Sequence, residues 1–84
     1  MNKILSLSDL QKGDTGIVTD IRLDPDTENR LADIGIWRGA RVTLLRAAPL
    51  GDPIEFCAGN FRIAMRKKEA AHIYIERVNG NSTK

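Results

Sequence analysis

The chain has 84 residues, of which 42% are hydrophobic, 29% charged and only 5% aromatic. A chain of this length supports one core and buries about 60–65% of its unfolded surface, which excludes a two-domain enzyme with a deep internal cavity. The formal net charge of +2 is small, but its distribution is uneven. Residues 1–36 carry four bases against seven acids, a net −3, and residues 37–84 carry nine bases against four acids, a net +5. Such asymmetry can steer an acidic partner to one face, or simply coat a small barrel.

Cys57 is the lone cysteine. It has no partner for an internal disulfide and no CxxC pair for metal or redox chemistry, so a reducing compartment is expected. Residues Met1 to Leu10 lack the apolar run of a signal peptide, and no stretch approaches the roughly 20 apolar residues that span a bilayer. The expectation is a soluble, cytoplasmic protein.

In chain order, Leu7–Leu10 reads as one helical turn with Ser8 placed to cap it. Lys12-Gly13-Asp14 is a turn. Thr15 to Leu23 alternates with strand periodicity, placing Ile17, Thr19, Ile21 and Leu23 on one face and Val18 on the other. Asp24-Pro25 then marks a helix start: Asp24 suits the N-cap and Pro25 the first helical position, where its missing N–H costs nothing. Asp26 and Glu28 complement the dipole, and Gly35 lies just past the helix end.

Ile36–Gly39 is a connector, and Val42–Ala48 a second strand. Pro49-Leu50-Gly51-Asp52-Pro53 is a dense turn signal. Ile54–Ala58 alternates, Gly59-Asn60 fits a two-residue hairpin turn, and Phe61, Ile63 and Met65 alternate onto the core side. Lys67–Ala71 favours a helical turn. Ile73 to Val78 is the last strand. The domain is expected to span 1–78, followed by a flexible polar tail over 79–84. The reading is mainly β: about five short strands and one inserted helix, bent into a small barrel that limits exposed edges. The predicted core is Ile17, Ile21, Leu31, Ile34, Val42, Leu44, Ile54, Phe56, Ile63, Met65, Ile73 and Ile75.

Few residues carry chemistry. One Cys57 and one His72 do not make the three or four ligands of a transition-metal site, so no metal and no cofactor is predicted. Gly13-x-x-Gly16 leads into a strand and lacks the Lys-Ser/Thr of a phosphate loop. No catalytic residues are assigned, and the chain reads as a non-enzyme. Arg41, Arg46, Arg62, Arg66, Lys67, Lys68 and Arg77 could form a phosphate-tracking stripe, making a nucleic-acid-binding small barrel the alternative function. The scarcity of stacking aromatics weighs against it. The strongest functional feature is the Pro49–Pro53 loop. Leu50 sits at the tip of a rigid turn, where an apolar residue must fold back or meet a partner, and flanking prolines reduce the ordering entropy lost on binding. Trp37 either caps the barrel or anchors a partner.

These residues resemble the FeoA proteins of bacterial ferrous-iron uptake. The resemblance is carried by Leu10-x-x-Gly13-x-x-Gly16, by Arg30-Leu31-x-x-Ile34-Gly35-Ile36-x-x-Gly39-x-x-Val42, by Ala48-Pro49-Leu50-Gly51-Asp52-Pro53-Ile54, and by Ile63-Ala64-Met65-Arg66-x-x-Glu69-Ala70. Arg38 stands where the family usually has Pro. The resemblance implies an SH3-like β-barrel acting as a cytoplasmic accessory to FeoB, the membrane ferrous-iron transporter with an N-terminal GTPase domain, and located at the inner membrane face through that partner. The expected partner-binding residues are Trp37, Arg38, Pro49, Leu50, Gly51, Asp52 and Pro53, with Arg66, Lys67 and Lys68 adding electrostatic steering. Self-association is a further possibility.

Overall fold

The computed structural model describes residues 4–78. The expected tail over 79–84 lies outside the described residues. Six antiparallel strands form one sheet: β1 (Leu5–Ser6), β2 (Thr15–Ile21), β3 (Arg41–Ala47), β4 (Ile54–Ala58), β5 (Phe61–Met65) and β6 (Ile73–Val78). Their spatial order is β1-β6-β2-β3-β4-β5. A 3₁₀ turn covers Leu7–Asp9, helix α1 covers Pro25–Asp33 and the short helix α2 covers Lys67–Ala70.

The inserted helix forms for the reasons legible in its sequence. Asp24 Oδ2 accepts the Thr27 N–H at 3.0 Å and Asp24 Oδ1 accepts the Thr27 hydroxyl at 2.8 Å. Pro25 opens the helix and Gly35, with φ of 99°, follows its end. That left-handed backbone is open to glycine without the Cβ penalty. The hairpin between β4 and β5 also forms as expected, pairing Ala58 with Phe61 across Gly59-Asn60. Gly59 has φ of 60° and Asn60 is not among the positive-φ residues, the pattern of a type II′ turn.

The strand count is six rather than five, because the two-residue β1 pairs with β6, Leu5 opposite Ile75. The residue at the N-cap of the first helical turn is Ser6 rather than Ser8; its backbone N–H donates to Asp9 Oδ2 at 2.8 Å. The phase of β2 is also corrected. Val18 is buried while Ile17 is half-buried and Thr19 exposed. The cause is a β-bulge: the pairing with β6 runs Val18–Ile75 and then Asp20–Tyr74, leaving Thr19 as the extra residue. The bulge turns both Val18 and Ile21 inward, which strict alternation cannot do.

The inward faces of the strands supply most of the core, with Phe56, Val42 and Ile73 wholly buried. Leu7 and Leu10 from the first turn, Ile36 and Ala40 from the connector, and Ala70 from α2 complete it. Leu31 and Ile34, expected in the core, pack against its edge half-buried. The ladder does not close between β1 and β5. Instead the 3₁₀ turn after β1 packs against α2 after β5, bringing the two edges together at one end.

Among the glycines, Gly16 in β2 is the most closely packed. A Cβ there would lie 2.5 Å from Ile75 Cδ1 and 3.0 Å from Ile75 Cβ. The Ile75 side chain occupies the space that any larger residue at 16 would need. Gly16→Val is therefore expected to destabilise the fold by about 1–3 kcal/mol through overpacking, and Phe56→Ala by about 3–5 kcal/mol through cavity formation. Urea denaturation monitored by circular dichroism measures both, and Phe56→Ala should have the lower midpoint.

Candidate functional site

The loop between β3 and β4 is a constrained turn. Gly51 N–H donates to the Ala48 carbonyl at 2.7 Å, and Ala48 N–H donates to the Pro53 carbonyl at 2.9 Å. Pro49 occupies the second position and Gly51 the fourth, the preferences of a type I turn. The Asp52–Pro53 peptide is cis. Asp52 fastens the base of the loop to the start of α2: its Oδ1 accepts the Lys67 N–H at 2.8 Å, and its Oδ2 lies 3.6 Å from Arg66 Nη1. Leu50 is left 96% exposed at the tip. It does not fold back over the barrel.

Five predicted loop residues, Pro49 to Pro53, thus come together with Arg66 and Lys67, while Lys68 lines the adjoining shallow depression with Ser8 and Asp52. Trp37 and Arg38 do not join them. They precede β3, whereas the Leu50 loop follows it, and a seven-residue strand separates its ends by about 20 Å. The expected partner-binding residues thus fall into two patches at opposite ends of β3. A linear sequence shows the β3 interval but not which strands return beside it.

At the Trp37 end, Trp37 is 52% exposed and Phe61 51% exposed. They line one shallow groove with Ala40, Arg41, Ala58 and Gly59. Alternation places Phe61 on the core side, and the structure exposes it. It is the first residue after the hairpin turn, beyond the end of the packed layer, and that position is the signal that could have found it.

Arg38 has a structural task. Its Nη1 donates to Glu28 Oε2 of α1 at 2.7 Å and its Nη2 to Asp20 Oδ1 of β2 at 3.1 Å. Asp20 also accepts from Arg22 Nε at 3.0 Å. The Arg22 guanidinium, then that of Arg38, hold the Asp20 carboxyl below the usual carboxylate range, and the hydrogen bond to Glu28, then that to Asp20, raises the pKa of Arg38. The N-cap bonds from Thr27 hold Asp24 low in the same way.

Several cations of the supposed basic stripe are engaged: Arg46 pairs with Glu55 at 3.1 Å and Arg77 with Asp14 at 3.4 Å. Among the described residues, Arg41, Arg62, Lys67 and Lys68 are in no ion pair. Cys57 is half-buried, and among the described residues no three His, Cys, Asp or Glu side chains gather as metal ligands. No helix among them is long and apolar enough to cross a membrane.

Fold and surface together define a small, mainly β, SH3-like module that exposes Leu50 at a loop tip and Trp37 and Phe61 beside a shallow groove. The family profile of the FeoA domain matches residues 5–77; the chain belongs to the FeoA family. The solution structure of the FeoA protein from Chlorobium tepidum superposes with a TM-score of 0.84 at 40% identity, covering 88% of this chain and 70% of that one. FeoA of Stenotrophomonas maltophilia, complexed with zinc and described as an SH3 domain protein, superposes with a TM-score of 0.72 at 25% identity, covering 86% and 89%. The Fe(2+) transport protein A/Fe(2+) transporter FeoB fusion protein of Porphyromonas gingivalis is 27% identical over 94% of this chain. This chain spans 9% of the length of that fusion protein.

The Asp20 geometry has a pH consequence. Its folded pKa lies below the ordinary value of 3.8, so its contribution is fully present above that value and is lost as pH falls through the folded one. Arg38→Ala removes one of the two guanidinium partners. The variant should have a lower urea midpoint than the parent at pH 7, with the gap narrowing at pH values below the ordinary carboxylate range. A gap unchanged by acid would show that the Arg38–Asp20 contact contributes nothing.

Proposed function

We propose that this protein is an accessory of ferrous-iron transport that docks on the cytoplasmic part of a FeoB-type transporter, with the Leu50 loop as the contact. The observation that carries this is the 96% exposure of Leu50 on a turn held by its own backbone hydrogen bonds and by Asp52. An apolar side chain presented on an already ordered loop loses little entropy on binding. The existence of a Porphyromonas gingivalis protein that joins the two proteins in one chain supports association. Lys67 and Lys68, beside the loop and in no ion pair among the described residues, provide steering toward an acidic surface.

Trp37 and Arg38 stand apart from this contact. Arg38 is committed to Glu28 and Asp20, and Trp37 faces the opposite end of β3. The docking surface is therefore the Pro49–Pro53 loop with Arg66, Lys67 and Lys68.

Titration of isotope-labelled protein with the purified cytoplasmic part of its cognate transporter, followed by amide NMR shifts, tests the reading. Saturable shifts should centre on Leu50 and Gly51. Burying a leucine contributes about 1.5–3 kcal/mol, so Leu50→Asp should weaken binding by a factor of about 10 or more. Its urea midpoint should match the parent, since the side chain touches solvent alone. Unchanged affinity for the variant would remove the loop from the interface.

A further inference from the structure

The strand β5 is an edge of the sheet, with β4 as its one strand neighbour. Across the type II′ turn, Ala58 and Phe61 form the closing pair, followed by Cys57–Arg62, Phe56–Ile63 and Glu55–Ala64. By the antiparallel pattern, Phe61, Ile63 and Met65 direct their backbone groups toward β4. Arg62 and Ala64 direct their N–H and C=O outward. Both residues are exposed, and among the described residues no backbone or side-chain hydrogen bond reaches these outward groups.

This edge runs between the two patches described above. At its start is the Trp37–Phe61 groove, with Arg41 at its margin. At its end are Arg66, Lys67 and Lys68. From Ala58 to Lys68 the chain carries four cations and no carboxylate. The nearest acids across the sheet are already paired, Glu55 with Arg46 and Asp52 with Arg66.

We propose that β5 is a docking edge for an extended, acidic segment of a partner protein, which adds to the sheet as a further strand and seats an apolar side chain between Trp37 and Phe61. Strand addition uses main-chain hydrogen bonds for affinity and side-chain pockets for selection. Arg62, in no ion pair among the described residues, together with Lys67 and Lys68 selects acidic side chains. The same charges oppose the obvious competitor: two copies paired through β5 would bring their Arg62 and Arg66 side chains together, and like charges opposed across strands are destabilising. Leu50 takes no part in this contact, so a Leu50 variant separates it from the transporter docking even though both surfaces share Arg66, Lys67 and Lys68.

The probe is a short acetylated peptide alternating glutamate and valine, titrated into labelled full-length protein. Saturable amide shifts are expected at Arg62 and Ala64, with slowed hydrogen exchange of those two amides. Binding should weaken with salt, be lost with a peptide alternating lysine and valine, and fall about tenfold or more in Arg62→Glu, equivalent to about 1.4 kcal/mol. Leu50→Asp should bind the peptide as the parent does. A peptide N-methylated at alternate residues, which keeps the charge and loses the strand donors, should not bind.

Several results would overturn the assignment. Equal binding of the N-methylated peptide would mean charge attraction without strand addition. Protection of Arg62 and Ala64 on raising protein concentration alone would make a second copy the occupant. Shifts at β5 with an oligothymidylate but not with the acidic peptide would make it a nucleic-acid surface. Shifts confined to Leu50, or none, would leave the edge without a role in binding.

Discussion

Everything in this fold depends on surrounding Phe56 with so short a chain. The side chain sits in the middle of β4 with no solvent exposure, and the sheet must curve to enclose it. Two bulges accomplish part of that curvature, at Thr19 in β2 and at Leu45 in β3, where pairing jumps from Leu44–Phe56 to Arg46–Glu55. Extra residues in one strand bend it and increase its twist. The absence of a side chain at Gly16 lets Ile75 cross closely over β2. The unclosed ladder between β1 and β5 is then bridged by two short helical segments rather than by more strand. A chain of this length has too few residues to do all of this with backbone hydrogen bonds alone.

What the sequence made legible follows from how local each cause is. Asp24-Pro25 and Gly35 bracket α1 because capping and left-handed backbone act within a few residues. Gly59-Asn60 and the Pro49–Pro53 run are equally local. The bulge at Thr19 is not, because it arises where β2 meets β6, more than fifty residues further along. Strict alternation therefore placed Ile17 inward and Val18 outward, the reverse of their burial. The two-residue β1 was missed for the same reason: Leu5 and Ser6 are a strand through their pairing with Ile75 and Tyr74.

Composition of the candidate site was legible in its loop and not in its extent. Leu50, held between prolines, announces itself as an exposed apolar residue. Asp52 looked like one more turn former, but its role is to fix α2 to the loop, which needs the β5–α2 segment folded back beside it. Trp37 and Arg38 are only about a dozen residues from Leu50 in sequence, yet an extended strand lies between. Their nearness in sequence groups them, and β3 sets them apart. Arg38 is instead a side-chain strut between helix and sheet, bonded to Glu28 and Asp20.

The pairing of β1 with β6 has a topological consequence. Because Leu5 lies opposite Ile75 in antiparallel register, the polypeptide enters and leaves the domain at the same corner. A graft at either end would then hang from one shared attachment point, leaving the β3–β4 loop and the β4–β5 hairpin unencumbered. The same adjacency makes the domain a natural candidate for circular permutation: a short bridge between the ends, with new termini cut into an exposed turn, would preserve every strand pairing described here.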